Sequence, residues 1–328
     1  MQPVIPALSK TSSTLAAGDI VADHYRVGPL LGTRGTSLVY RVEHIVLGTS
    51  YALEVLHPGS APSQLSWRRF AREVRALSAL HNKHVVRVHD ADTLPSGARY
   101  LVTDLLDGTD LRSLLNREGA LPQELAVEYI CQVCSALSDA HRLGIVHRDV
   151  KPENMFLARY RSASPVIKLR DFGMALFLSD TETATILGCG AASPHYLSPE
   201  QLRNPNAVDE RSDIWAVGLC LFELLTGRSP FAGLNGAQIV RRISQGEVPG
   251  SLELGGAAPP GLATLLRRCL EREPALRPAT AEHVIRELEP FSARHAAAPR
   301  AKLRPSPLRT PRPPSVAPSA PNPRNGLA

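Results

Sequence analysis

Long hydrophobic runs are missing from this 328-residue chain. The most apolar internal stretch, Ile214 to Leu225, is broken by Glu223 and is too short to span a bilayer, so no membrane span is expected. Cysteine is scarce: there are five, without regular spacing, which argues against a disulfide framework. Cys131 and Cys134 fall one helical turn apart in an apolar stretch and read as small buried thiols. The N-terminus lacks a basic start followed by an apolar core, so no signal peptide is expected and the protein reads as cytoplasmic. Acidic residues are absent from Phe291 to Ala328, where six Arg and one Lys give +7. The whole chain carries +6, so the rest is near −1. The high isoelectric point therefore belongs to the tail, and no nucleic-acid partner is expected for the body.

What is present suits a folded body. A composition of 43% hydrophobic and 21% charged residues can bury a core. Residues 1–24 are polar without sustained periodicity and read as a flexible leader. Alternating apolar residues begin at Tyr25 and recur through Val39 to Val42, Tyr51 to Leu56, Val85 to His89 and Tyr100 to Asp104, the pattern of an antiparallel sheet. One helical stretch, Ser66 to Leu80, interrupts them. After Gly108 the spacing becomes helical: Leu111 to Arg117, Pro122 to Leu143, Ile214 to Leu225, Ala237 to Gln245, Gly261 to Arg272 and Ala279 to Glu289. A β-rich first third and an α-rich remainder predict an α+β fold of two lobes, 25–104 and 108–291, with a ligand cleft between them. Residues 292–328, rich in Pro, Ala and Arg, read as a disordered basic tail.

The strongest chemical signal is His147-Arg148-Asp149-Val150-Lys151-Pro152-Glu153-Asn154, followed by Asp171-Phe172-Gly173. Phosphoryl transfer needs a carboxylate to take the acceptor hydroxyl's proton, a cation on the migrating phosphate, and oxygen ligands for Mg²⁺. Asp149, Lys151, and the pair Asn154 and Asp171 supply these in turn.

From about Tyr25 to Phe291 the chain resembles the eukaryotic-type protein kinases, in the form common among bacterial Ser/Thr kinases. The resemblance implies the two-lobed protein kinase fold: a small antiparallel β N-lobe with an αC helix, and a larger helical C-lobe. Lys151 within HRDVKPEN is similar to the Ser/Thr-specific loop. Ser198-Pro199-Glu200 matches the motif closing the activation segment, with Arg277 its ion-pair partner, and Asp213 matches the Asp that braces the catalytic loop. Glu73 sits at the αC glutamate position and Thr103 at the gatekeeper. The family's nucleotide-binding positions fall on Gly32, Gly35, Val39, Ala52, Glu54, Glu73, Thr103 and Asp104. The resemblance implies ATP with Mg²⁺ or Mn²⁺ as cofactors, protein substrates with Ser or Thr acceptors, and autophosphorylation.

Two positions depart from the family. The phosphate-covering loop reads Gly32-Thr33-Arg34-Gly35-Thr36-Ser37, so two of three glycine positions hold Arg34 and Ser37. In Tyr51-Ala52-Leu53-Glu54-Val55-Leu56 the ATP-anchoring lysine is replaced by Glu54. At about 4 Å and an effective dielectric near 20, one unit pair interacts by about 4 kcal/mol, so reversing the sign costs more than deleting the lysine. A loss of about 2–4 kcal/mol of transition-state stabilisation slows the reaction about 30- to 1000-fold. Arg34 is a candidate replacement cation. Two readings stay open: an ATP-dependent Ser/Thr kinase of reduced activity, and a pseudokinase acting as a scaffold or allosteric partner. A small-molecule phosphotransferase is disfavoured by Ser198-Pro199-Glu200.

Arg148 beside Asp149 implies, through the family, control by phosphorylation of the activation segment, with Ser179, Thr181, Thr183 and Thr185 as acceptors. Ser193 retains the hydroxyl of the substrate-docking Gly-Thr-Pro motif. In the tail, Ser306, Thr310, Ser315 and Ser319 are further candidate acceptors.

Overall fold

Period-two burial organises the first part of the chain. In the computed structural model, Ser37, Val39, Tyr40 and Val42 are buried along one strand while Arg41 and Glu43 face outward. The structure describes residues 15–34, 37–55, 71, 74–160, 163–172, 194–204, 208–247 and 258–292. The chain divides into a unit covering Met1–Ala296 and a second covering Ala297–Ala328, the latter outside the described residues.

Six strands form the first sheet: β1 (Ile20–Val21), β2 (Tyr25–Arg34), β3 (Ser37–His44), β4 (Ser50–Val55), β5 (Val88–Thr93) and β6 (Arg99–Asp104). Their order is β1-β2-β3-β4-β6-β5, with antiparallel neighbours throughout. Val27, Tyr40, Val42, Leu53, Val55, Tyr100 and Val102 make its core. The leader expected over 1–24 needs correction in its second part. Leu15 is buried, its N–H reaches the Tyr40 hydroxyl at 3.3 Å, and Ile20 and Val21 pair with Arg26 and Tyr25. Two apolar side chains, Leu15 and Val21, are enough to hold this segment on the sheet although it lacks periodicity.

The strand expected at Val85 to His89 is also displaced. It begins at Val88, because Val85 and Val86 bond elsewhere: Leu169 donates to His84 O at 2.7 Å and accepts from Val86 N at 3.0 Å. These bonds join the first sheet's connecting segment to a second, three-stranded sheet made of β7 (Gly108–Asp110), β8 (Met155–Tyr160) and β9 (Ala163–Leu169). Helical residues at 74–78 carry Leu77, which packs into the larger core.

The helical part contains α1 (Leu111–Glu118), α2 (Gln123–Arg142), α3 (Pro199–Arg203), α4 (Arg211–Thr226), α5 (Gly236–Gln245), α6 (Pro260–Cys269) and α7 (Ala281–Leu288). The six helices expected after Gly108 are present within a few residues of their expected ends, and α3 is additional; of the stretch expected over Ser66 to Leu80, residues 66–70, 72 and 73 lie outside the described residues. Asp110 starts α1 by accepting the N–H of Ser113 at 2.8 Å. Helix α4 is buried on nearly every side, which explains its almost unbroken apolar sequence. Gly218 allows α6 to lie against it, since a Cβ there would stand 2.9 Å from the Cβ of Cys269. The thiols of Cys134, Cys220 and Cys269 are buried and pushed upward by that burial, to about 12 for Cys269, so they stay protonated and inert.

Candidate active site

A buried carboxylate sets the conformation of the loop between α2 and β8. Asp213, near the start of α4, accepts the backbone N–H of His147 at 2.9 Å and of Arg148 at 2.8 Å, and the ring Nε2 of His141 at 2.7 Å. Burial alone would raise its pKa; the hydrogen bonds from His141 and from the His147 N–H pull it below the ordinary carboxylate value. The loop so held contains Arg148 at φ 67°, a left-handed conformation that a non-glycine residue adopts only when its surroundings impose it. Gln201, one turn into α3, adds a second tie by donating to Arg148 O at 2.9 Å.

The loop brings Asp149, Lys151 and Asn154 together. Lys151 Nζ lies 2.9 and 2.7 Å from the two carboxylate oxygens of Asp149. Asn154 Nδ2 donates to Asp149 O at 2.8 Å and to Asp149 Oδ2 at 2.9 Å. Because its amide nitrogen is engaged in this way, Asn154 offers Oδ1 as a ligand atom. Asp171 joins the group through the neighbouring residue: Arg170 N donates to Asn154 O at 3.0 Å. Asp171 sits at φ 62°, a second left-handed non-glycine residue in this cluster. Phe172 is buried with its ring 4.4 Å from that of His147. His147 donates Nε2–H to Arg170 O at 3.0 Å and accepts Asp149 N–H at Nδ1 at 3.2 Å, which fixes its tautomer.

These residues fit a divalent metal and a nucleotide in donor chemistry. Among the described residues no group of three His, Cys, Asp or Glu side chains could hold a metal. One amide oxygen and one carboxylate form an incomplete set, the kind Mg²⁺ accepts when phosphates and water complete its octahedron.

On the sheet side, β4 pairs Ala52 with Thr103 and Glu54 with Leu101, while β3 brings Val39 opposite Glu54. Val39 and Ala52 are buried apolar positions, and Glu54, two residues after Ala52 on β4, is half-buried. Gly32 pairs with Val39. Asp104, at the end of β6, accepts His89 Nε2 at 2.7 Å and donates its own N–H to Arg87 O. Gly35, Glu73, Gly173, Ser179, Thr181, Thr183, Thr185, Ser193 and the side chain of Arg34 lie outside the described residues, as do the four tail acceptors.

Two ion-pair systems flank the cluster. Arg277, with no exposed side-chain surface, makes a two-pronged contact with Glu200 at 2.6 and 2.8 Å, and its guanidinium lies 5.2 Å from the Trp215 ring centroid. Burial would raise the Glu200 carboxyl, but Arg277 and Ser212 hold it below its ordinary value. The sequence expectation for this pair is met.

The second system has no counterpart in the motif reading. Arg112 on α1 reaches both oxygens of Glu223 at 2.7 and 3.1 Å, the Tyr196 hydroxyl at 2.5 Å and Glu153 at 2.9 Å. Tyr196 in turn donates to Glu223. Burial, then the Cys220 and Glu223 neighbours, push the phenol upward. Against its own burial, the Glu223 hydrogen bond and the neighbouring Tyr196 and Glu153 hold the Arg112 guanidinium charged. Glu223 was visible in the sequence as the one charge in an apolar run, and that break was the available signal.

Comparison with known proteins follows the same lines. The family described as Protein kinase domain matches residues 25–288. The chain is 34% identical over 277 residues to the serine/threonine-protein kinase pkn3 of Myxococcus xanthus, covering 83% of this chain and 50% of that protein. It is 33% identical over 277 residues to PknB of Mycobacterium tuberculosis, covering 82% and 43%. With PknL of Mycobacterium tuberculosis it shares 36% over 273 residues, covering 82% and 66%. The chain thus spans about half the length of the first of these curated relatives, and less of PknB. The crystal structure of the Mycobacterium tuberculosis PknI kinase domain superposes with a TM-score of 0.66 at 27% identity, covering 85% of this chain and 100% of that one. Among the described residues no helix is long and apolar enough to cross a membrane.

Proposed function

The chain belongs to the protein kinase family, in its bacterial eukaryotic-type Ser/Thr branch, and on that premise we propose that it transfers the γ-phosphoryl group of ATP to Ser or Thr hydroxyls of proteins, at a rate lowered by Glu54. The observation that carries this reading is the joint geometry of Asp149, Lys151 and Asn154 on a loop braced by Asp213. ATP with Mg²⁺ or Mn²⁺ supplies, when bound, the transferable phosphoryl group and the charge that neutralises it.

In this reading Asp149 accepts the proton of the substrate hydroxyl on a carboxylate oxygen. Lys151, 2.7 Å from that carboxylate, brings a positive charge to the place of transfer. Asn154 Oδ1 and the Asp171 carboxylate hold the divalent cation, and the hydrogen bond from Arg170 N to Asn154 O keeps those two ligands in step. Gly32, Val39, Ala52, Glu54, Thr103 and Asp104 are the described positions of the nucleotide side in this reading; Gly35 and Glu73, the other two, lie outside the described residues. The functional unit runs over 25–291, with 15–24 attached to its sheet and 292–328 as a basic tail. Protein substrates, self-phosphorylation and a cytoplasmic location complete the proposal.

A second reading, a pseudokinase that signals by binding, is favoured by Glu54 on β4, the lysine position of an active enzyme. Radiolabelled phosphate transfer to the protein itself and to a generic basic protein separates the two. Transfer by the wild type that Asp149→Asn abolishes supports the enzyme. A silent wild type that Glu54→Lys awakens overturns the enzyme reading.

A further inference from the structure

Strand β5, at the edge of the first sheet, is irregular beside the nucleotide side of the site. Its pairing with β6 runs from Val88 with Thr103 to Asp90 with Val102, so His89 is an extra residue opposite a single step of the partner strand. Such an insertion is a β-bulge, which takes the extra residue out of the ladder and re-aims its side chain. The ring of His89 reaches Asp104, the last residue of β6, and Nε2 donates to the carboxylate oxygen Oδ1 at 2.7 Å.

Three strands meet at that carboxylate. Tyr51 of β4 is the cross-strand partner of Asp104, and its ring lies 4.8 Å from the His89 ring in an edge-to-face contact. The second carboxylate oxygen of Asp104 accepts the Arg87 N–H at 3.4 Å, and the Asp104 N–H donates to Arg87 O at 3.2 Å. The second sheet is close as well: burial lowers the pKa of Lys168 on β9, and the charge of Asp104 opposes that shift. Beyond Asp104 the chain leaves the first sheet and reaches β7 through Leu105, Leu106 and Asp107. His89 therefore holds the strand end from which the chain crosses to the second sheet.

We propose that His89 is a positioning residue for the nucleotide, whose hydrogen bond to Asp104 fixes the end of β6 in the conformation that receives the nucleoside. This rests on the ATP-dependent reading above, in which Thr103 and Asp104 belong to the nucleotide side. A strand end held before the ligand arrives loses less freedom on binding, and affinity gains by that much. The contact serves the nucleoside and not the phosphates, which in the same reading lie toward Gly32 and the metal ligands.

Isothermal titration of the full chain with adenosine and, separately, with Mg²⁺·ATP tests it, after thermal unfolding without ligand has verified that each variant folds. His89→Phe keeps a ring against Tyr51 and deletes the donor, and it is expected to weaken adenosine about 3- to 10-fold, the worth of one hydrogen bond. His89→Gln retains an N–H donor and should restore most of that affinity. In an Asp104→Ala background His89→Phe should change adenosine affinity no further, because the partner through which it acts is gone. Should His89→Phe not fold, His89→Leu takes its place. Adenosine affinity unchanged in the folded variant, or weakened as much in the Asp104→Ala background as in the wild type, overturns the proposal and leaves His89 a brace for the sheet edge. Equal weakening in His89→Gln and His89→Phe overturns it too. A wild type that binds neither ligand fails the ATP reading itself, whereas one that binds adenosine keeps that reading and lets the variants decide.

Discussion

The imidazole of His147 reaches the carbonyl oxygen of Arg170 at 3.0 Å and so ties the loop of Asp149 to the segment of Asp171. The same ring accepts Asp149 N–H and packs on Phe172, and it is fully buried. His147→Phe keeps the ring contact and deletes both hydrogen bonds, leaving the Arg170 carbonyl and the Asp149 N–H unsatisfied. A loss of about 2–6 kcal/mol in guanidinium unfolding is expected at about 1–3 kcal/mol per orphaned group, together with a fall in kcat. Unchanged stability would show that water replaces the imidazole.

Two buried carboxyls predict the acid limb of stability. Asp213 and Glu200 are both depressed in the fold from ordinary values of 3.8 and 4.5. Each therefore contributes stability that is complete above its unfolded pKa and is lost as pH falls through the folded one. Stability should decline from near pH 4.5 downward, Glu200 first on the unfolded side and then Asp213. Asp213→Asn and Glu200→Gln should each flatten that limb while lowering stability at neutral pH. Urea midpoints measured from about pH 3 to about pH 7 check the slope, which follows the difference in bound protons between unfolded and folded chains.

Glu54 offers a graded test of the charge argument. Replacing it by Gln removes the repulsion without supplying a cation, and replacing it by Lys does both. Phosphotransfer should rise in the order Glu54, Gln, Lys, with the whole span about 30- to 1000-fold in kcat/KM, the equivalent of about 2–4 kcal/mol. Equal rates across the three side chains would show that position 54 does not feel the nucleotide's charge.

Breaking the Arg277–Glu200 contact tests a sequence-legible brace. Arg277→Ala leaves Glu200 buried without its cation and should cost about 3–5 kcal/mol. The pair Arg277→Met with Glu200→Leu should recover much of that loss, since two apolar side chains need no compensation. A double-mutant cycle by denaturant unfolding reads the coupling.

The particular residues that sequence reasoning found are those whose chemistry needs a fixed local spacing. Asp149, Lys151 and Asn154 lie within one loop, so their meeting is written in six consecutive positions. Period-two and helical spacing likewise located β2 to β4, β6 and every helix of the second part except α3, because burial on one face acts residue by residue. The displaced strand at β5 shows the limit: Val85 is apolar and well placed for β6, yet bonds to β9, and a partner 84 residues away leaves no local mark. Leu15 and Ile20 to Val21 escaped for the same reason, being held by Tyr40 and Tyr25 rather than by their own pattern. Arg170 and Gln201 carried no signal, since each acts through a main-chain carbonyl that any sequence provides.

Arg112 and Glu223 provide the sharpest case of a distant partnership, 111 positions apart. Glu223 is 2% exposed within α4, and an ionised carboxylate there requires the guanidinium that α1 presents across the interface. Arg112→Met removes the cation and keeps the length of the side chain, so it should cost about 3–5 kcal/mol by leaving Glu223 buried without its cation. Tyr196→Phe removes a single hydroxyl from the same network and should cost about 1–3 kcal/mol. Because Arg112 also holds Glu153, in the loop of Asp149 and Asn154, the first variant should lower kcat beyond what its stability loss explains, whereas Tyr196→Phe should affect stability with little change in kcat. Arg112→Met together with Glu223→Leu separates the two effects: stability returns while the contact to Glu153 stays broken. Unfolding curves and steady-state rates on the same three proteins would set the outcome, and full recovery of kcat in the double variant would show that Glu153 needs no partner.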